Sequence, residues 1–454
     1  MKEYLQLISA WEEVHPEGVA KHLANVTFSN LFIAFEKNNF HRLTATQQLL
    51  FSGKKLKDAV VGVKKPALNQ AKVLMWPVSL NHCENMVPVY YALKEKNVDT
   101  LVVTNKKGIY DYLKSIGVEA HFIEIYNWLP YLRRVSVYNK ISSFTPKDIK
   151  ESAVKLFKAV LKRYMDENLA ILGASAWLLK AVKPEMVFVG FDITAEGRAM
   201  CLTAREAGIE TRCIQHGDIA GFFDNFHIAS AWYVFGDQAK ETLSRHGYNN
   251  TVISGSPALD KIYSNFKQRR ASEQKEILAL FSGPGVGTSM EHHIMQFDAI
   301  FSWNVKNPTV KITVKFHPKD KIENYTELIE KYPSHTIQFS SEMSGGQGKN
   351  IFEWLEPAGL VLTGASTAAM EAILMDIPVV SLDFKQEYQS VEFVKSGAIC
   401  QVNQPEELHK TLDSWFRNPG HFENYISEGK KYINRYYLLD GQAGRRVAEH
   451  VIGG

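Results

Sequence analysis

The feature of this sequence that most constrains its fold is an alternation of short apolar runs with helix-like segments, which occurs twice along the chain. The first series starts at Ala71 and continues to about Pro257, with the apolar runs KVLMWPV, TLVVTN, AHFIEIY, MVFVGFD, ETRCIQHG, AWYVFG and TVISGSP. Parallel strands need a crossover connection, which is usually a helix. The first series therefore predicts a parallel sheet covered by helices.

The second series repeats this rhythm after a polar, charged stretch between Asp260 and Gln274, which predicts a linker. Its apolar runs are EILALFSG, VKITVKFHP, LVLTG and PVVSLD. A chain of 454 residues is also too long for one ordinary core. We therefore predict two Rossmann-like, doubly wound α/β domains facing a central cleft. The predicted parts are a helical extension (1–70), a first domain (71–259), a second domain (260–425) and a closing helix (426–454).

Composition excludes several other classes of protein. The 52 basic and 49 acidic residues give a net charge of +3, too balanced for a nucleic-acid-binding protein. The longest apolar stretch, 169–179, is too short to span a bilayer, and the N-terminus lacks the apolar core of a secretory signal. Four cysteines without a CxxC pair indicate neither a zinc site nor a disulfide framework: Cys83, Cys201, Cys213 and Cys400. We expect a soluble, cytoplasmic protein.

The second domain carries polar residues directly after predicted strands, where parallel sheets bind ligands. In VKFHPKD, His317 and Pro318 follow a strand that contains Lys315. An imidazole at this position can donate to a phosphate oxygen, and proline stiffens the loop. The alternative is a capped strand end with a solvated histidine.

The next motif of this domain, LVLTGASTAAMEA, places small hydroxyl residues where a helix begins. Such an N-terminus attracts phosphate, and Glu371, one turn later, is placed to accept ribose hydroxyls. The alternatives are that Ser366 is an ordinary N-cap and Glu371 an ordinary first-turn acid. The glycine-rich SGPGVGTS permits close backbone approach to a ligand, but it matches neither the P-loop nor GxGxxG. The candidate donor-binding residues are Ser282, Gly283, Lys315, His317, Pro318, Thr363, Gly364, Ser366, Thr367 and Glu371.

The first domain offers candidates for a general base. Asp192 and Glu196 follow one predicted strand, and His216 follows the next. A carboxylate or an imidazole in the cleft can take a proton from a hydroxyl group. The alternatives are a loop or cap role for Asp192, an ion pair between Glu196 and Arg198, and a structural role for His216. We also expect His82 and Asn85, which follow the first strand, as weaker candidates on the acceptor side.

These motifs carry a resemblance. HP at 317–318, followed by T-G-x-S-T-x-x-x-E-A-x-x-x-x-x-P-V at 363–379, resembles the donor-binding half of bacterial GT-B glycosyltransferases of the capsule and teichoic-acid type. That group includes polysialyltransferases, Kdo transferases and CDP-glycerol glycerophosphotransferases. Q-H-G at 215–217 resembles the same enzymes and the related nucleotide-sugar 2-epimerase fold. By motif order the resemblance covers roughly residues 71–450.

The resemblance implies a glycosyltransferase of capsule or lipopolysaccharide biosynthesis. It implies transfer from a CMP-activated acidic sugar, of the sialic acid or Kdo type, to a glycan or glycolipid acceptor. In such an enzyme His317, Ser366 and Thr367 would hold the donor phosphate and Glu371 the ribose. The alternatives are a UDP-sugar transferase or UDP-GlcNAc 2-epimerase-like enzyme, and a non-catalytic GT-B scaffold that binds a glycan or a protein.

Two expectations concern partners. The sequence has no DxD-like doublet after a strand, so we predict neither a metal site nor a cofactor beyond the nucleotide-sugar co-substrate. The segment NWLPYLRRVSVYNK (127–140) interleaves aromatic and basic residues, which is typical of peripheral contact with the inner face of a membrane. An exposed edge of the first domain is the alternative interpretation. We expect no nucleic-acid partner.

Overall fold

The computed structural model describes residues 3–17, 20–36, 66–129, 131–217, 219, 226–260, 276–281, 283, 288–317, 320–340, 351–364, 366, 368–388 and 392–453. Three candidate residues fall outside this part of the chain: Ser282, Pro318 and Thr367. Residues 37–65 of the predicted extension also fall outside it.

The first series of apolar runs forms a parallel sheet. Among the described residues its seven strands have the order β3-β2-β1-β4-β5-β6-β7. Most strand positions are buried, because helices cover both faces of a doubly wound sheet. The strands are β1 (Val73–Trp76), β2 (Thr100–Thr104), β3 (Ala120–Phe122), β4 (Met186–Val189), β5 (Glu210–Ile214), β6 (Ala231–Val234) and β7 (Thr251–Ile253).

The helices of this half precede, connect or cover these strands. Short 3-10 turns also occur, one of them at Ile125–Trp128. The helices are α1 (Glu3–Val14), α2 (Leu23–Val26), α3 (Phe28–Glu36), α4 (Leu80–Glu95), α5 (Lys107–Ser115), α6 (Tyr131–Ser143), α7 (Glu151–Val182), α8 (Ala195–Glu206) and α9 (Asp237–Arg245).

The N-terminal helices pack against the long helix α7. Trp11 of α1 is fully buried and lies with its ring centroid 6.4 Å from that of Phe157 in α7. Asn168 of α7 donates a hydrogen bond of 2.8 Å to the hydroxyl of Thr27. The apolar face of α1 therefore covers α7, with Ile8 buried on the same helix as Trp11.

The second series forms another parallel sheet with the same winding. Its six strands within the described residues have the order β10-β9-β8-β11-β12-β13. They are β8 (Glu276–Leu280), β9 (Ile312–Lys315), β10 (Ile337–Phe339), β11 (Ala358–Thr363), β12 (Val379–Leu382) and β13 (Cys400–Val402). The helices are α10 (Met290–Lys306), α11 (Thr326–Lys331), α12 (Ile351–Leu355), α13 (Ala368–Leu374), α14 (Glu392–Lys395), α15 (Pro405–Arg417), α16 (Glu423–Tyr436) and α17 (Ala443–Gly453).

Both sheets reverse their winding direction at one place, which confirms the prediction of two doubly wound domains. The reversal lies between β1 and β4 in the first sheet and between β8 and β11 in the second. Open parallel sheets bind ligands at the carboxyl ends of the strands beside such a switch point. The residues that follow these four strands are therefore the ones to inspect.

The last helix returns from the second sheet to the first. α17 packs against α4, and a Cβ added to Gly444 would lie 3.1 Å from the carbonyl oxygen of Pro88. Asp260 supports this crossing, because its carboxylate accepts hydrogen bonds from the N–H groups of Gly441 at 3.1 Å and Ala443 at 2.7 Å. The crossing joins the second half of the chain to the middle of α4.

Candidate functional site

The first switch point brings two predicted histidines together. His82 lies in the first turn of α4, which Ser79 caps by accepting a hydrogen bond of 3.3 Å from the His82 N–H. A Cβ on Gly190, directly after β4, would come within 2.3 Å of the His82 ring, so glycine leaves room for the imidazole. His216, two residues after β5, has its ring centroid 5.0 Å from that of His82. The sequence did not single out Gly190.

The surroundings of these histidines keep both imidazoles neutral. Burial, with His227 nearby, lowers the pKa of His216 to about 4, and burial beside His216 lowers that of His82 to about 3. The His216 ring is hydrogen-bonded to the backbone of Gly190. A carbonyl only accepts, so one ring nitrogen of His216 donates and the other carries a lone pair. Such a neutral ring can accept a proton from a hydroxyl group.

Asp192 lies inside the first domain and holds residues 227–229 through hydrogen bonds. Its side chain is 0% exposed. Oδ1 accepts a hydrogen bond from His227 Nδ1 at 2.8 Å, and Oδ2 accepts from the N–H groups of Ile228 at 2.6 Å and Ala229 at 2.8 Å. Burial raises the pKa of Asp192, but His227 and the two amides outweigh this and lower it overall. We therefore interpret Asp192 as a positioning residue instead of the base suggested by the sequence.

Glu196 forms a buried ion pair at the start of α8. Its side chain is buried, and Oε1 accepts from Lys106 Nζ at 2.8 Å and from Asn105 Nδ2 at 3.0 Å. Burial raises the pKa of Glu196, but these two partners outweigh burial and lower it overall. Arg198 contacts Asn25 instead of Glu196, donating to its Oδ1 at 2.7 Å. Glu196 is therefore poorly suited to act as a base, because protonation would break the pair.

The two weaker acceptor-side candidates are also covered. Asn85 is 4% exposed and His82 is 3% exposed. The Asn85 side chain donates to the Asn81 carbonyl at 3.1 Å and accepts, at 3.4 Å each, from the Ser256 hydroxyl and the Ala258 N–H. Asn85 therefore connects α4 to the segment after β7. We interpret His82 as a support for His216 and Asn85 as a connection between segments, not as acceptor contacts.

The second switch point brings Gly283 and His317 together. Strands β8 and β9 are neighbours, with Leu280 opposite Lys315, so the residues that follow them share one edge of the sheet. A Cβ on Gly283 would lie 2.9 Å from Nδ1 of His317, which makes glycine favourable there. Burial lowers the pKa of the half-buried Lys315. A histidine and a lysine at one sheet edge are suited to bind phosphate.

The start of α13 lies at the same switch point. The Ser366 hydroxyl accepts a hydrogen bond of 3.3 Å from the Ala368 N–H, as in the N-cap alternative. Thr363, the last residue of β11, is 0% exposed, and its hydroxyl has no hydrogen-bond partner within the described part of the chain. A Cβ on Gly364 would meet the Tyr388 hydroxyl at 2.5 Å. The loops after β11 and β12 therefore pack closely.

A cluster around Glu387, missed in the sequence, joins the loop after β12 to α10. The Glu387 carboxylate accepts hydrogen bonds from the Ser289 hydroxyl at 2.8 Å and from His292 Nδ1 at 3.0 Å. Burial raises the pKa of Glu387, but these donors dominate and lower it to about 2. The available signal was Ser289 before a helical segment, which indicates an N-cap. Nothing local indicated that Glu387, almost 100 residues later, would reach it.

Glu371 is the candidate with the most unusual surroundings. It lies on α13, and its Oε2 is buried without a hydrogen-bond partner among the described residues. Burial, with a smaller contribution from the carboxylate of Glu84, raises the pKa of Glu371 to about 7. Glu84 lies on α4 of the first domain, so the charge of one domain acts on a carboxyl group of the other. A buried acceptor without a partner is costly, so a donor from a bound ligand would stabilise it.

Replacing Glu371 with glutamine is expected to flatten the pH dependence of stability. The folded carboxyl titrates at about pH 7, whereas an unfolded glutamate titrates at about 4.3. The folded state therefore holds an extra proton between these values, and stability falls as the pH rises through this window. The loss is on the order of 1–3 kcal/mol for the wild type and absent in E371Q. Unfolding midpoints near pH 5 and near pH 8 measure it.

The control for this experiment is Glu356→Gln, which removes an exposed carboxyl group just before β11. E356Q should keep the pH dependence of the wild type. An E371Q protein that loses as much stability as the wild type between the two pH values would show that Glu371 is not held protonated.

Two features of the described residues concern metal ions and membranes. No three His, Cys, Asp or Glu side chains of this part of the chain come together in a group that could hold a metal ion. Among the helices described, none is long and apolar enough to cross a membrane. The predicted independence from metal stays a prediction.

Solved structures with similar folds include nucleotide-sugar enzymes. A UDP-N-acetylglucosamine 2-epimerase has 18% sequence identity and a TM-score of 0.54, covering 85% of this chain and 96% of its own. The Neisseria meningitidis UDP-GlcNAc 2-epimerase bound to UDP-GlcNAc has 13% identity and a TM-score of 0.56, covering 85% and 100%. MurG of Acinetobacter baumannii has 12% identity and a TM-score of 0.50, covering 84% and 100%.

These identities show the fold alone. The chain has the GT-B architecture predicted from its sequence, with two Rossmann-like domains on either side of a cleft. No family model matches the chain, and no curated protein matches it.

Proposed function

We propose that this protein is an enzyme that binds a UDP-activated sugar between its two domains and breaks the bond between sugar and phosphate. The observation that carries the proposal is that each of the two sheets places a polar group suited to a ligand at its switch point. The first has the neutral imidazole of His216, and the second has the buried Oε2 of Glu371, which has no hydrogen-bond partner among the described residues. Similarity to UDP-GlcNAc 2-epimerases and MurG supports a nucleotide-sugar ligand.

The second domain would bind the nucleotide. Glu371 can accept hydrogen bonds from ribose hydroxyls, which would satisfy its buried oxygen. His317 and Lys315 are suited to donate to the diphosphate, which would approach closely over Gly283. Ser282, Pro318 and Thr367 join this group on the strength of the sequence motifs alone.

The first domain would supply the base. The lone-pair nitrogen of His216 would take a proton as the bond between the anomeric carbon and the phosphate oxygen breaks. The phosphate leaves with the bonding electron pair, and the cations of the second domain stabilise its charge. His82 and the Asp192–His227 pair would keep the His216 ring in place.

The same bond cleavage serves two reactions. In a transferase the proton comes from an acceptor hydroxyl, whose oxygen then bonds to the anomeric carbon. In a 2-epimerase it comes from C2 of the sugar, and the phosphate adds back after C2 is reprotonated on its other face. Several of the similar structures are UDP-GlcNAc 2-epimerases, which favours the epimerase over a transferase that uses a CMP-activated acidic sugar. We therefore favour the UDP-sugar alternative over a capsule-type transferase.

Uridine nucleotides are expected to raise the unfolding temperature of the protein, because a ligand that binds only the folded state stabilises it by about 2.7 kcal/mol at 100 times its Kd. UDP and UDP-GlcNAc should act, whereas CMP and GDP should not. A response to CMP alone would instead favour the CMP-sugar transferase. No response to any nucleotide would favour the non-catalytic scaffold.

Two additions sharpen this measurement. His317→Ala should weaken the response to UDP, whereas the exposed histidine variant His335→Ala of the same domain should retain it. Incubation with UDP-GlcNAc in D2O separates the two reactions, since deuterium enters at C2 only if the C2 proton is removed. UDP release that depends on an added glycan acceptor, without deuterium at C2, would identify a transferase.

A further inference from the structure

The positive charge of this protein is concentrated in one helical hairpin. Residues 131–163, which comprise α6 and the first part of α7, contain nine Lys or Arg and two Asp or Glu, a formal charge of +7. The whole chain carries +3, so all other residues together carry −4. We name residues 131–163 the basic hairpin. Its helices pack against each other, and Lys158 of α7 donates to the Ser142 carbonyl of α6 at 2.8 Å.

Apolar side chains protrude among these cations. Val135 of α6 is 68% exposed, and Val14, at the end of α1, is 60% exposed. They are the two most exposed large hydrophobic side chains in the described part of the chain. Tyr138 is 47% exposed, with Lys162 lying 4.5 Å from its ring centroid. Val14 lies in the same region of the surface. The next residue, His15, is close enough to Lys140 for its positive charge to help lower the pKa of the imidazole, after burial.

The basic hairpin lies on the cleft side of the first domain. A Cβ on Gly173 of α7 would meet the carbonyl of Trp128, and Trp177 packs against Trp128 with ring centroids 4.4 Å apart. Trp128 follows β3, so this part of α7 is already at the carboxyl edge of the sheet. Residues 155–163 lie about 15–27 Å further along the helix towards its start, at 1.5 Å per residue. The hairpin therefore projects beyond the edge where the cleft is located.

We propose that the basic hairpin binds the surface of a bilayer rich in acidic phospholipids. Its cations would lie among the headgroups while Val135, Tyr138 and Val14 enter the interface. A nucleic acid or an acidic polysaccharide would match the charge alone, but isolated aliphatic side chains gain nothing from either. A bilayer also uses the valines, which makes it the better match. The binding brings the cleft side of the first domain to the membrane.

Cosedimentation of the full chain with vesicles tests the proposal. Vesicles of phosphatidylcholine with about one-third phosphatidylglycerol should bind the protein, and vesicles of phosphatidylcholine alone should not. Binding should weaken as salt is added. Each cation near such a surface contributes about five-fold, so the triple variant R133E/K140E/K162E should bind on the order of 100-fold more weakly. V135S/Y138S, which keeps every charge, should bind about ten-fold more weakly.

A matched variant controls for net charge. K240E/K321E/K410E reverses three exposed lysines elsewhere, and it should bind vesicles as the wild type does. Equal loss in both triple variants, or unchanged binding in R133E/K140E/K162E, overturns the proposal. So does binding to a single-stranded oligonucleotide or to heparin without binding to vesicles. Unfolding temperatures near that of the wild type establish that the variants are folded. The readout needs no nucleotide, so it is independent of the proposed enzymatic activity.

Discussion

His216→Ala is expected to lower turnover by about 10²- to 10⁴-fold while the protein stays folded and binds nucleotide. The expected loss is large because the imidazole is neutral and its bond to the Gly190 backbone leaves one nitrogen to accept a proton. The effect should fall on kcat more than on KM, since the base acts as the bond breaks. The proposed nucleotide contacts lie in the other domain.

The measurement is steady-state release of UDP from UDP-GlcNAc, or formation of its C2 epimer, by each variant. His121→Ala is the matched control, because His121 is a half-buried histidine on β3 of the same sheet. It should change turnover little. The thermal response of H216A to UDP reports whether the nucleotide site is intact. A kcat of H216A within about three-fold of the wild type would exclude His216 as the base.

The order of helices and strands was predictable, because apolar runs bounded by helix-like segments can be recognised in the sequence without knowledge of the tertiary packing. The sequence has a long helical pattern from Ile149 to Lys183, and the helix is observed at Glu151–Val182. Strands β10 and β13 were missed. Each has three residues and lies at an edge of the second sheet, and only one position of each is buried. Such edge strands need few apolar residues, so their sequences resemble loops.

The residues of the first candidate site were predictable as a set, but their contacts were not. Motifs after β4 and β5 placed Asp192, Glu196 and His216 at one sheet edge, as the structure does. Which of them faces ligand depends on partners distant in sequence. Asp192 meets His227, 35 positions later, and Glu196 meets Lys106, 90 positions earlier. Long-range pairing of this kind leaves no periodic signal in the sequence.

The second site shows the same limit in a different form. The motif with Glu371 was recognisable, but its raised pKa depends on burial and on Glu84 of the other domain. The cluster of Glu387 with Ser289 and His292 joins segments 95 to 98 positions apart. Strand ends can be located from local patterns, whereas electrostatics follows from the tertiary arrangement.

Asp192→Ala is expected to destabilise the first domain by about 3–5 kcal/mol, since each buried donor left without its acceptor costs about 1–3 kcal/mol. The substitution leaves His227 Nδ1 and the N–H groups of Ile228 and Ala229 without their acceptor, all at buried or half-buried positions. Unfolding these residues into water satisfies the donors again, so the cost appears in the free energy of unfolding. Urea titration of the wild type and of D192A measures it.

Two further variants separate a positioning role for Asp192 from a catalytic one. Asp237→Ala removes an exposed carboxylate from the first turn of α9 and should cost less than about 1 kcal/mol. Asp192→Asn keeps one oxygen acceptor and should be intermediate in stability. Its activity should fall only in proportion to this loss of stability. If D192N were as stable as the wild type but lost turnover by as much as H216A, Asp192 would act on the substrate. The buried geometry predicts that stability and activity fall together. The ring of Phe191 contacts the rings of both His216 and His227, so loosening the Asp192–His227 pair also loosens His216.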